Sequence, residues 1–375
     1  MPNTLICLLV AASIPCAVAQ AAPDAECLSA LFRSIHEQRE QLTRQAGMVH
    51  DLQTADALAE TIEQQKAAAR EKQLDQWQKD HPQTFAAVSP AWQKPMEQVS
   101  DDMCIAFFRI SWKNWYGSKT LKNNASFLAD EKTQLDPEQV AHFMSTYHLN
   151  PRPKKITWFL SLLPNMLNGS GVPEAGKNPF TFFLAAVFKN DPSHLQEWMT
   201  IIKEMPSVAS RSVALGAMSH CAVTMPEAKK LVEAYLTSNP GERPLVEKPP
   251  VIDPAAMKNI QDYLQLFSCT AYYAGSGDLA ALKPVFACSV LPSDPQDRNT
   301  LAAMANSPLA FLIAEDPAAR KALKDYLTTC TKEQRLAFSR FHTKQVQIDL
   351  LGEVLTTDPI DLSKPYTEEE DAPLH

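Results

Sequence analysis

The chain contains only 10 glycines in 375 residues, under half the share usual for a globular protein. Glycine supplies the positive φ angles that phosphate-cradling loops and tight β-hairpins need. Its scarcity argues against a nucleotide-binding α/β fold and against a β-sandwich. Charged side chains make up 21% of the chain and the net charge is −8, so no basic face is on offer for nucleic-acid phosphates. Runs of alternating β-branched residues are nearly absent, which leaves little material for strands. Beyond the N-terminus no stretch approaches the ~18 apolar residues a membrane-spanning helix requires. The best candidate, Ile156 to Leu167, is short and contains Pro164. There is no G-x-S-x-G, no S-x-x-K with its supporting motifs, and no Walker A loop.

The N-terminus is apolar from Leu5 to Ala19 and ends in Ala17-Val18-Ala19 and Ala19-Gln20-Ala21. Small residues at these positions suit a signal peptidase cutting after Ala19 or Ala21, although no Lys or Arg precedes the apolar stretch. The expectation is a signal peptide over 1–21 and a secreted or periplasmic protein that does not span the membrane once it is cleaved. Cleavage removes Cys7 and Cys16 and leaves six cysteines: Cys27, Cys104, Cys221, Cys269, Cys288 and Cys330. No two of these lie within ten residues, so the close pairs of a zinc site are missing. An even number in an oxidising compartment reads as disulfides, with Cys27–Cys104 the favoured pair.

From Asp24 to about Lys79 the composition is helical, with Leu28, Ile35, Leu42 and Val49 at heptad spacing and the pattern broken at Gln38, Gln45 and Lys66. A long helical hairpin packed on the rest is favoured over a free dimeric coiled coil. Met103 to Tyr116 is too apolar for a surface helix and ends plausibly at Gly117-Ser118. Asp136-Pro137-Glu138 opens a further helix.

An internal repeat follows. Met225-Pro226 through Tyr235-Leu236-Thr237 matches Asp316-Pro317 through Tyr326-Leu327-Thr328, and Asp191, Leu195 and Trp198 match Asp278, Leu282 and Val285. Five prolines between Ser238 and Pro254 read as an extended linker, and Glu368 to Asp371 as part of an acidic tail. The expected fold is all-α: a helical array with a long N-terminal helical hairpin and a duplicated multi-helix unit, in the manner of an α-solenoid. The expected division is 1–21 signal peptide, 22–150 N-terminal helical region, 151–238 unit A, 239–256 linker, 257–345 unit B and 346–375 C-terminal segment.

Candidate chemistry is sparse. His36 and Glu40 stand one turn apart on a helix, but the second histidine of H-E-x-x-H is missing. His142 and His148 are six apart and point to different faces. Ser219-His220-Cys221 are adjacent, so they do not face one another. Trp112, Trp115, Tyr116 and Trp158, with lysines nearby, form a possible binding face for sugars or peptides, or else a core. Asn124-Ala125-Ser126 and Asn168-Gly169-Ser170 are glycosylation sequons. No cofactor, metal or catalytic set emerges. The expected role is a non-catalytic scaffold for a protein or peptide partner, with self-association through the N-terminal helices as one possibility. The alternatives are a structural component of the envelope and a hydrolase of unfamiliar type.

Overall fold

The computed structural model describes residues 22–65, 67–125, 137–167, 179–246, 262–292 and 300–357, with the single positions 260 and 359. The expected signal peptide, Asp136, the second sequon, most of the expected proline-rich linker and the expected acidic tail lie outside the described residues. Within them the fold is all-α, with no strand. No helix among the described residues is long and apolar enough to cross a membrane. The prolines are placed where helices tolerate them: Pro82, Pro137, Pro153, Pro179, Pro226 and Pro317 each begin a helix. The N–H that proline lacks would have no intrahelical acceptor in the first turn, and proline's fixed φ is already helical.

The described residues form two compact units, one drawn from Met1–Asp136, Lys154–Asn168 and Glu204–Pro206, the other from Pro137–Pro153, Gly169–Lys203 and Ser207–His375. In the first unit, α1 (Ala22–Gly47) runs up, α2 (Leu52–Gln65) and α3 (Ala67–Asp80) return, and α4 (Pro82–Trp112) runs up again. The expected hairpin is therefore joined by a third member. The parallel course of α1 and α4 is fixed by paired levels: Phe32 stacks on Trp92 at 6.0 Å, and Arg39 donates to the Ser100 hydroxyl. Above and below that level sit separate apolar clusters. One contains Leu28, Phe32, Ile35, Phe85 and Met96, and the other Leu42, Ala46, Val49, Met103, Phe107 and Ile110. Between them lies a buried polar layer, in which Gln38 Nε2 donates to the Gln65 carbonyl at 3.0 Å beside Arg39. The break in the heptad at Gln38 is this layer.

The helix expected over Met103–Tyr116 stops at Trp112. Asn114, Trp115 and Tyr116 then take φ of 49°, 54° and 50°, and Gly117 follows at 82°. Asn114 tolerates the left-handed conformation, but two aromatic residues held in it are costly. Burial of the Trp115 ring in the second apolar cluster holds the turn, as does Ser118, whose hydroxyl donates to Asp56 at 2.5 Å and caps α5 (Lys119–Ala125).

In the second unit, α6 (Pro137–Thr146) precedes two runs of elements; α7 (Pro153–Met166) belongs mainly to the first unit. The first run is α8 (Pro179–Asn190), a 3-10 turn (Pro192–His194), α9 (Leu195–Glu204), α10 (Val208–Ala222) and α11 (Pro226–Ser238). The second is α12 (Tyr263–Ser276), a 3-10 turn (Leu279–Leu282), α13 (Lys283–Ser289), α14 (Leu301–Glu315) and α15 (Pro317–Thr328). Helices α16 (Lys332–Ser339) and α17 (Lys344–Leu351) complete the unit. The first helices of the two runs, α8 and α12, pack along each other more extensively than any other pair, and α8 also receives α10. Every residue of α8 from Thr181 to Phe188 is buried as a result. The approach is closest at Gly275, where a Cβ would stand 2.6 Å from the Phe183 carbonyl oxygen.

Part of the expected linker is packed structure. Pro240–Leu245 forms a 3-10 helix whose Glu242 accepts from Arg211 Nη2 at 2.7 Å and from the Tyr235 hydroxyl at 2.6 Å.

The six cysteines are thiols, none joined in a disulfide. The favoured Cys27–Cys104 pair is excluded by the parallel course of α1 and α4. With Arg39 level with Ser100, Cys104 is level with Thr43, about sixteen positions from Cys27 or ~24 Å along the axis. A disulfide needs Cα atoms within about 7 Å. Burial pushes the Cys221 and Cys269 thiols up to about 12 and raises Cys288 as well, so they pack as protonated apolar groups.

Candidate functional site

The side of the α1/α4 pair carries a groove of about 490 Å³. Its walls are two rows at one-turn spacing: His36, Glu40 and Arg44 on α1, and Lys94, Gln98 and Asp102 on α4, with Thr43, Pro95 and Val99 between them. Positions i, i+4 and i+8 share one face of a helix, so each wall follows directly from the sequence. Pro95 lies inside α4, where it removes the N–H that would bond the Ala91 carbonyl and locally loosens the helix beside the groove. The apolar neighbours are already committed elsewhere: Phe32 stacks on Trp92, and the His36 ring rests 6.3 Å from Trp92. The groove is lined by polar side chains together with the apolar Pro95 and Val99.

Among the described residues, Glu40, Arg44, Lys94 and Asp102 enter no hydrogen bond or ion pair. That sets them apart from the other charges on α4. Asp101, one residue from Asp102, holds Lys155 at 2.6 Å, and Arg109 grips Glu204 through two bonds of 2.6 Å. The groove hydroxyl, Thr43, donates to the Arg39 carbonyl at 2.8 Å. The arrangement offers two carboxylates and two cations to a ligand, and its hydroxyl is bonded to a backbone carbonyl rather than to a side-chain base. No group of three or more His, Cys, Asp or Glu suited to a metal ion occurs among the described residues.

The aromatic candidates are dispersed. Trp115 and Trp158 are buried, and Trp158 lies under the Lys155 ammonium at 4.5 Å. Trp112 and Tyr116 are half-buried, and the Trp112 indole N–H has no acceptor among the described residues. Ser219, His220 and Cys221 diverge as adjacent helical residues must: Ser219 donates to the Val246 carbonyl and Cys221 to the Ala185 carbonyl. Asn124 of the first sequon donates to the Ala59 carbonyl at 3.3 Å.

A second polar cluster is buried in the other unit, and sequence reasoning missed it. His142 turns to Phe311, with its ring edge-to-face at 5.8 Å. His148 turns instead to Asp316, which Nε2 meets at 2.8 Å and to which the Tyr273 hydroxyl also donates. The other Asp316 oxygen caps α15 through the Ala318 and Ala319 amides. Burial alone would raise this carboxyl, but the four donors outweigh it and hold it below its ordinary value. Burial, with the hydrogen bond and charge of Asp316, drives the Tyr273 phenol upward. Asp316-Pro317 entered the sequence reading only through the repeat, and nothing in the sequence tied the aspartate to a tyrosine 43 residues away. The carboxylate is saturated by four donors, so the cluster reads as a junction joining the segment after α6, α12 and α15.

No protein-family model, no curated protein and no solved structure matches this chain. The functional reading therefore rests on the groove and on the sequence.

Proposed function

We propose that this chain is a secreted or periplasmic helical-array protein that acts by binding, and that it takes a polypeptide segment in the groove between α1 and α4. The observation that carries the reading is the set of four charged side chains, two of each sign, that line one groove without a hydrogen bond or ion pair, while the other charges of α4 are paired. Uncompensated charge on opposed walls favours a ligand that supplies the missing partners. Export is supported by the apolar N-terminus ending in small residues. Duplication of the helical unit is supported by the shared order of elements in residues 179–238 and 263–328, and by the aligned prolines and Tyr-Leu-Thr ends. In this reading the duplicated half is scaffold. An enzymatic reading would rest on Glu40 and Asp102, but the only hydroxyl lining the groove is bonded to a backbone carbonyl.

The test is a random peptide array probed with the full chain and with the Glu40→Gln/Arg44→Gln variant. Both positions are exposed, so the fold should survive. The expected outcome is a set of peptides captured by the wild type and released by the variant. Identical capture patterns would defeat the reading.

A further inference from the structure

The charges of the groove have an order as well as a sum. Because α1 and α4 run parallel with Arg39 level with Ser100, positions on the two walls can be placed on one axis. Lys94 falls level with Arg33 and lies nearest His36; Gln98 and Glu40 follow; Asp102 is level with Gln41; Arg44 comes last. Read along the groove, the fixed charges are positive, negative, negative, positive. The two carboxylates come from opposite walls and lie within about one residue of the same level, ~1.5 Å along the axis. A cation lying in the groove at that level would meet a carboxylate on either side, and carboxylates placed before and after it would meet Lys94 and Arg44.

We infer that the groove is built for a polypeptide segment in which one basic side chain is flanked on both sides by acidic ones. The inference rests on the binding reading above and specifies its ligand. The axial distance from the level of Lys94 to that of Arg44 is about eleven residues, or ~16 Å. An extended segment of five or six residues spans this at ~3.3 Å per residue. A single amino acid is too short to reach both ends. A nucleic-acid backbone would set like charges against Glu40 and Asp102. A purely basic peptide would leave Lys94 and Arg44 opposed by like charge, and a purely acidic one would do the same at the centre.

The probe is the hexapeptide acetyl-Glu-Ala-Ala-Lys-Ala-Glu-amide, with the charge-exchanged acetyl-Lys-Ala-Ala-Glu-Ala-Lys-amide as its counterpart, each titrated into the full chain by NMR. The wild type should bind the first about tenfold more tightly than the second, since several screened ion pairs each change an affinity by a small factor. That preference should shrink as salt rises. The variant Glu40→Lys/Asp102→Lys/Lys94→Glu/Arg44→Glu should invert it, with circular dichroism unchanged. Equal binding of both peptides at the groove would overturn the charge order while leaving a peptide-binding groove. If neither hexapeptide binds but the array peptides still depend on Glu40 and Arg44, this inference alone fails. If groove-dependent capture is also absent, both fail.

Discussion

Gly275 is the residue on which the second unit's main helix pair depends. A Cβ there would meet a backbone carbonyl at 2.6 Å and the Ala186 methyl at 2.9 Å, and a backbone oxygen inside a packed helix cannot swing aside. Gly275→Val should therefore cost about 3 kcal/mol of stability in urea unfolding. Gly47, at the end of α1, has nothing within 4 Å of the same atom, and Gly47→Ala should gain about 0.5 kcal/mol. Equal responses at the two sites would refute the packing argument. His342 makes a pH prediction of its own. Its buried ring donates from Nε2 to the Asn306 side-chain oxygen at 2.8 Å and stacks on Phe338, with the Asn306 amide spent on two carbonyls. Burial lowers its pKa to about 3. The unfolded chain, with an ordinary histidine, takes up a proton as pH falls below ~6.5 while the folded chain does not. Stability should thus be full above ~6.5 and fall by about 1.4 kcal/mol per pH unit toward 3. His342→Gln should flatten that component. Unfolding free energies over this range that are the same in both proteins would contradict it.

Helices and their boundaries were the part of this protein best written in its sequence, because proline at a first turn acts locally and Asp or Thr caps act over three residues. The 3-10 and left-handed turn after α4 was not. Its sign of φ is decided by where the Trp115 ring can be buried, among residues of α1 and α2 more than fifty positions earlier. That makes it testable at the level of the element. Tyr116→Gly relieves a left-handed residue whose side chain is only half-buried, and should stabilise the protein by about 1 kcal/mol. Trp115→Gly relieves the same backbone but empties a site in the core, and should destabilise by several times that amount. If both variants move stability the same way, the ring is not what holds the turn. The groove was half legible for a similar reason. The His36–Glu40 pair stood out at helical spacing, whereas its opposite wall, Lys94, Gln98 and Asp102, could be recognised only once α1 and α4 were known to run parallel. The missing strands and the broken heptad were visible early, but the heptad break at Gln38 gained its meaning from the polar layer between two apolar clusters.

At the scale of the whole chain, the two units differ in what they do with their polar side chains. One carries the groove with its four unpaired charges; the other buries the cluster of Asp316, Tyr273 and His148. Under the register of the proposed duplication, Asp316 falls on Met225 and Tyr273 on Ala186. The first run thus folds without the aspartate–tyrosine–histidine junction that the second one uses. The junction is then a device of assembly for the second run, and Asp316→Ala, which strips a cap and leaves two buried donors without their acceptor, should cost about 3 kcal/mol. Peptide binding should be untouched by that change at temperatures where the variant is folded. The most direct measurement of the central claim is amide hydrogen exchange across the full chain, with and without the acid–base–acid hexapeptide. The account predicts slowed exchange confined to residues 36–44 and 94–102 and unchanged exchange in α8 to α15. Protection lying over α8 to α15, or none anywhere at saturating peptide, would contradict it.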